Sequence, residues 1–148
     1  MLLTGQYEHV IDAKQRLAIP ADIRSQWRPE QDGGAWYAVP WPNRTIRLYT
    51  ESRFRSLAEG RSQTLTPDED EAEVQVALFG FSRRLEMDAA GRIRFPEDML
   101  QMTGLSGEVT LVGAGDRLEI HDRTHWRSKR DERLQSLPDL IKRSAKRG

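Results

Sequence analysis

Apolar and polar positions change period several times along the chain, and each change marks an element. Residues 7–12 (YEHVID) alternate with the period of two that suits a half-buried strand, and Leu17 and Ile19 resume it after a tight connection at Ala13-Lys14-Gln15. Pro20 then stands where a first helical residue is expected, since proline loses nothing there by lacking an N–H. Ile23 and Trp27 fall four apart on one face of this short helix, which Pro29 and Gly33-Gly34 are expected to end. Strands are predicted over 35–39 and 45–49, joined by the turn-rich PWPNR. Two helical stretches follow. Residues 51–60 place Phe54, Leu57 and Ala58 on one side. Residues 67–79 open at Thr66-Pro67-Asp68-Glu69 with acids in the first turn and are expected to bury Val74, Ala77, Leu78 and Phe81, Gly80 ending them.

The pattern then begins again. EHVIDAKQRLAIPADIR at 8–24 is repeated as RLEMDAAGRIRFPEDML at 84–100, matching Asp12 to Asp88, Arg16 to Arg92, Leu17 to Ile93, Ile19 to Phe95 and Pro20 to Pro96. The connection is now Ala89-Ala90-Gly91, with glycine where a left-handed backbone is convenient. Met99 and Thr103 share a helix face that Gly104 ends, and strands are predicted over 108–112 and 117–121 around the hairpin turn GAGDR. Trp36-Tyr37-Ala38-Val39 corresponds to Val109-Thr110-Leu111-Val112, and Ile46-Arg47-Leu48-Tyr49 to Leu118-Glu119-Ile120-His121. The chain therefore divides into a first repeat at 5–53, a helical connector at 54–80, a second repeat at 81–124 and a helical, basic tail at 125–148. A unit of about 45 residues rarely buries enough apolar surface to fold alone, so the copies should pack on each other or on other subunits. The fold class is mainly β with short helices (α+β).

Charge refines this picture more than composition does. Lys+Arg and Asp+Glu are both 23, which argues against a strongly basic monomer that coats nucleic acid. Residues 65–80 nevertheless hold five acids and no base, so the remainder is net positive and can present a basic face. Arginine and lysine also crowd the tail, whose last ten residues are expected to fray while Trp126, Leu134, Leu137 and Leu140 dock part of it. With no cysteine there is neither a disulfide framework nor a Cys-based metal site. MLLTGQYEHV lacks a basic n-region, and no apolar run approaches spanning length, so a soluble cytoplasmic protein without membrane partners is the expectation.

Among candidate chemistries, Asp12 to Arg16 and Asp88 to Arg92 are the sharpest. A carboxylate four residues from a guanidinium across a turn can accept from turn N–H groups and from the arginine. The pair can be a structural clasp alone, since a surface ion pair contributes little. Its second occurrence, with Lys14, Arg94, Arg83 and Arg84 nearby, also suits phosphate or guanine contact, for which a rigidly held arginine is well formed. Gly113-x-Gly115 lacks the third glycine of a dinucleotide loop and reads as a hairpin turn. His9, His121 and His125 have no carboxylate at ligand spacing, and Asp68–Glu73 reads as a solvated helix start. Trp27, Trp36, Trp41, Trp126, Phe79 and Phe81 are read as core and interface anchors. No nucleophile–base set or phosphate loop is found, so no enzyme, cofactor or metal is expected.

The doubled D-x-x-x-R, the Pro that follows each, the intervening helix pair and the block VTLVGAGDRLEIHD resemble the MraZ family of SpoVT/AbrB-like DNA-binding proteins, from about Gly5 to Trp126. That resemblance implies a tandem swapped-hairpin β-barrel with pseudo-two-fold symmetry and a ring-shaped homo-oligomer. It further implies a nucleoid-associated bacterial regulator that represses its own division and cell-wall operon through short direct repeats in double-stranded DNA. The family motif carries over onto Asp12, Lys14 and Arg16, and onto Asp88, Gly91 and Arg92. Gln15 stands where the family commonly has glycine, and Ala90 where it has a base. In this reading Lys14 and Arg94 contact phosphate, Arg16 and Arg92 reach base edges, and Asp12, Asp88 and Gly91 shape the turns. An interaction scaffold, with the turns as clasps only, is the competing reading.

Overall fold

A computed structural model of the chain describes residues 1–61 and 64–147. The first copy supplies β1 (Gln6–Ile11), β2 (Arg16–Ala18), α1 (Ala21–Arg24), α2 (Pro29–Asp32), β3 (Trp36–Trp41), β4 (Thr45–Thr50) and α3 (Glu51–Glu59). After α4 (Glu69–Phe81), the second supplies β5 (Arg83–Leu85), β6 (Arg92–Arg94), α5 (Glu97–Thr103), β7 (Gly107–Gly113), β8 (Leu118–Asp122) and α6 (Arg123–Arg147).

Within each copy the last two strands form a hairpin, β3 with β4 and β7 with β8. The first strand does otherwise. β1 pairs with β7, Glu8 facing Thr110, and β5 pairs with β3, Arg84 facing the corresponding residue Tyr37. Each copy thus lends its opening strand to the other. β4 and β8 join the hairpins with Arg47 opposite Glu119, and β2 meets β6 with Leu17 opposite Ile93. Both are pairs of corresponding residues, so the copies are related by a pseudo-two-fold axis. The antiparallel sheet runs β1-β7-β8-β4-β3-β5, an order that reads the same after the copies are exchanged. Its ladder ends at β1 and β5, so the α+β fold is present without a hydrogen-bonded closure of the barrel.

One core serves both copies. Leu17, Ile19 and Trp36 from the first meet Ile93, Phe95 and Leu111 from the second, each almost fully excluded from solvent. This is the expected outcome for units too small to bury a core apart. The repeat also extends one step further than its β portion. Thr50 caps α3 by accepting from Arg53 N, and its counterpart Asp122 accepts from His125 N in the first turn of α6.

Several expectations are corrected. Pro20 and Pro96 are N-caps, with extended ψ of 139° and 141°, and therefore precede the first helical residue. α1 stops at Arg24, so Trp27 lies beyond it and packs on Trp36 at 5.0 Å between centroids. Pro29 opens α2, where its fixed φ is pre-organised, and does not end the preceding helix. Gly80 lies inside α4, and no residue of that helix is buried: Val74, Ala77 and Phe81 are exposed and Leu78 is half-buried. Helix periodicity names a face but not its cover. Trp41 and Phe79 are exposed too, whereas Trp36 and Trp126 are buried. The tail, expected to fray, is helical through Arg147 and past Pro138. Of its apolar side chains Trp126 alone docks, leaving Leu134, Leu137, Leu140 and Ile141 exposed. No helix among the described residues is long and apolar enough to cross a membrane.

Candidate nucleic-acid interface

An aspartate that accepts from the amide two residues on starts a turn without help from the rest of the fold. Asp12 does so twice over: its Oδ1 accepts from Lys14 N and Arg16 N, both at 2.9 Å, and its Oδ2 accepts from Arg16 Nε at 2.8 Å. Gln15 N donates to Asp12 O at 2.9 Å, and Asp12 N to Arg16 O at 3.0 Å. The second turn repeats every bond. Asp88 Oδ1 accepts from Ala90 N and Arg92 N, and Oδ2 from Arg92 Nε, all at 2.9 Å. The Arg16 amide above all, then its side chain and the Lys14 amide, hold the Asp12 carboxyl below the usual aspartate range. Arg92 and Ala90 do the same for Asp88. Both carboxylates stay charged at neutral pH and lock their arginines at one end.

The left-handed step falls on Gln15 (φ 66°) in one turn and Gly91 (φ 78°) in the other. A non-glycine residue there costs roughly 1–2 kcal/mol. A bond to the other copy holds each in place: Gln15 O accepts from Phe95 N and Gly91 O from Ile19 N, both at 2.9 Å.

Beyond the turns, β2 and β6 make a two-stranded ribbon with Arg16 opposite Arg94 and Ala18 opposite Arg92. Opposed residues share a face and alternate residues change face. Arg16, Arg92 and Arg94 therefore lie on one face, and Leu17 and Ile93 point from the other into the core at 0 % exposure. The Arg16 and Arg92 side chains remain 28 % and 35 % exposed despite their carboxylates. Arg94 and Lys14 are exposed, and among the described residues neither has a carboxylate within ion-pair distance. Like charges directly opposite one another weaken a ribbon. A polyanion laid on this face would remove that penalty.

The flanking arginines divide. Arg84, on the sheet edge, donates to Glu51 Oε2 at 2.6 Å and to Glu86 Oε1 at 2.9 Å, and Arg83 lies 4.0 Å from Asp98; neither belongs to the ribbon. Arg24, not singled out from the sequence, does reach a turn. Its Nε donates to Ile19 O at 3.0 Å and its Nη1 to Ala90 O at 3.4 Å. Its chain so fills the space over Gly91 that a Cβ there would overlap it. This contact joins residues 66 apart in sequence. The one available signal was the basic residue at 24 where the second copy has Leu100.

A second polar cluster is structural. Glu119 accepts from Arg117 Nε at 2.9 Å and bonds His121 Nε2 at 3.0 Å. These contacts, that of His121 first, pull its carboxyl down to about 2. No group of three or more histidine, aspartate or glutamate side chains among the described residues is placed to hold a metal ion.

Fold and site together define a duplicated, strand-swapped β protein that presents two Asp–Arg turns beside one arginine-bearing ribbon. The family described as "MraZ protein, putative antitoxin-like" matches residues 78–147. A transcriptional regulator MraZ from Tolumonas auensis is 28% identical over 139 residues, covering 94% of this chain and 91% of that protein. One from Marinomonas sp. is 28% identical over 141 residues, with 94% and 93% covered. Another from Coxiella burnetii is 29% identical over 129 residues, with 86% and 85% covered. The chain is thus similar to MraZ proteins, to these relatives over most of its length and to the family model over its second repeat and tail.

Proposed function

We propose that the protein is a sequence-specific, non-enzymatic DNA-binding transcriptional regulator whose reading surface is the β2–β6 ribbon with its two turns. The observation that carries this reading is Arg16 opposite Arg94 with Arg92 beside them, all on the exposed face of a ribbon whose other face is core. An arginine clasped at Nε by a carboxylate keeps its outer N–H groups in a fixed plane, which suits bidentate contact with guanine O6 and N7. Arg16 and Arg92 take that role, and Lys14 and Arg94 fix register on phosphates. Asp12, Asp88 and Gly91 shape the turns. On this reading residues 5–53 and 81–124 are the DNA-binding repeats, 54–80 the connector between them and 125–148 the basic tail.

The finer part of the proposal is repression of the protein's own division and cell-wall operon, in the cytoplasm at the nucleoid, by a ring-shaped homo-oligomer seated on short direct repeats. Exposed apolar side chains on α4 and α6 support self-assembly. A ring sets several modest sites along one duplex, and tethering raises their effective concentration, so a subunit of zero net charge can bind well. The same exposed helices favour the rival reading, a protein-interaction scaffold in which the turns only clasp the fold.

Salt and one mutation separate the two. Fluorescence anisotropy with the protein's upstream DNA and a scrambled duplex should show a preference that weakens steeply with salt, and Arg16→Glu should abolish it. Equal affinity of folded, assembled wild type and mutant for both duplexes would reject DNA reading and leave the scaffold.

A further inference from the structure

Between the clasped residues the turns differ in charge: the first holds Lys14 and the second Ala90 at the corresponding place. Turn one thus offers two cations, Lys14 and Arg16, while turn two has from its own copy only Arg92. Yet the backbone at Ala90 matches that at Lys14, its amide donating to Asp88 Oδ1 as Lys14's does to Asp12 Oδ1. A cation delivered there from elsewhere would equalise the turns.

Arg24 is that cation. It comes from α1 of the first copy, yet its guanidinium bonds Ala90 O, and its side chain crosses Gly91. The second bond, to Ile19 O, fixes its direction, and Ile19 N is itself tied to Gly91 O. Two of the five N–H donors of a guanidinium are engaged in this way and the others remain for a ligand. Arg24 is exposed, and no carboxylate among the described residues lies within ion-pair distance. In the second copy the corresponding residue, Leu100, is half-buried against the core.

We propose that Arg24 forms a phosphate-binding site beside the base-reading Arg92 at the second turn, in which the first copy supplies the positive charge that Ala90 lacks. The site rests on the DNA-binding reading above and deepens it: the ligand is a backbone phosphate of double-stranded DNA, and the two turns engage the duplex as near equals. Gly91 is then needed for space as well as for its left-handed backbone, because any side chain would push Arg24 off the turn.

The test is a charge transplant. Arg24→Leu, Arg24→Gln and Arg24→Leu/Ala90→Lys are titrated with upstream DNA by anisotropy across a salt series, thermal unfolding being followed in parallel. Each phosphate contact contributes about 0.9 to the slope of log affinity against log salt. Loss of Arg24 should lower affinity about fivefold at about 0.15 M salt and flatten the slope by about 0.9 for each engaged subunit. Ala90→Lys should restore both quantities. Arg24→Gln keeps a side chain over Gly91 but no charge, and should match Arg24→Leu in slope even if the leucine variant is less stable. Wild-type affinity and slope in Arg24→Leu or Arg24→Gln would overturn the proposal. So would a loss that Ala90→Lys does not repair, which would mark Arg24 as a brace for the turn. Failure of the wild type itself to bind in a salt-sensitive way would overturn the DNA reading and this site together, and is read from a different sample.

Discussion

The two Asp–Arg turns are built from different residues and come out the same. Between aspartate and arginine one has Ala13-Lys14-Gln15 and the other Ala89-Ala90-Gly91. The bond from the aspartate amide to the arginine carbonyl is 3.0 Å in the first and 2.8 Å in the second, and the three bonds to the carboxylate differ even less. The carboxylate, with the ribbon behind it, therefore determines the turn. What lies between is free to vary, at a conformational cost in the first turn and a loss of local charge in the second.

The largest effect should come from breaking what the turns share. Leu17 and Ile93 face each other beneath both, each fully buried. Leu17→Ala or Ile93→Ala should destabilise the protein by about 3 kcal/mol in urea unfolding and weaken DNA binding through both turns at once. A loss confined to one turn would contradict the shared ribbon.

Charge reversal sharpens the comparison next. Arg16→Glu should lower specific affinity about a hundredfold, and Arg92→Glu by a similar factor if Arg24 completes the second turn. Anisotropy on the same duplex gives the ratio. An Arg92→Glu effect below about threefold would make the first turn the sole reader.

Smaller again is the strain at position 15. Gln15→Gly should stabilise by about 0.5–1 kcal/mol, relief of the left-handed glutamine outweighing the added freedom of the unfolded chain. Gly91→Ala should destabilise by about 2 kcal/mol, since it adds strain and displaces Arg24. Chemical denaturation of both variants measures the asymmetry, and equal effects of the same sign would refute it.

The smallest is an acid effect that does not distinguish the turns. Asp12 and Asp88 titrate below the ordinary aspartate value in the folded protein. Their stabilisation is present above about pH 3.9, the unfolded value, and is lost as pH falls through the lower folded value. Glu119, held at about 2, adds to the same window. Unfolding midpoints measured from pH 5 down to about pH 2 should fall, and Asp12→Asn/Asp88→Asn should flatten that decline.

Sequence and structure agree where the physics is local. The aspartate turn, the period-two strands and the glycine hairpin at Gly113–Gly115 each carry their own instructions, and the second copy repeats them. The duplication also told which residues correspond, Leu17 with Ile93 among them. Relations between distant residues were not legible. Periodicity gave α4 an apolar face, but whether another element covers Val74 or Phe81 depends on packing, and here none does. The last ten residues are expected to fray, yet α6 continues past Pro138 to Arg147, with Leu134, whose carbonyl loses its partner, exposed to solvent. Arg24 reaches the second turn because β2 pairs with β6 and so brings Ile19 beside Gly91. At the site, the charges Lys14, Arg16, Arg92 and Arg94 could be picked out one by one. Their convergence on a single ribbon face required the register of β2 against β6.

On the proposed reading, both turns and the ribbon between them form one DNA-contacting surface. Amide hydrogen exchange of the protein, free and bound to its upstream duplex, tests it most directly. Slowed exchange is expected at residues 12–18 and 88–94 alike, reversed by high salt. Protection confined to α4 and α6, or to the first turn alone, would contradict it.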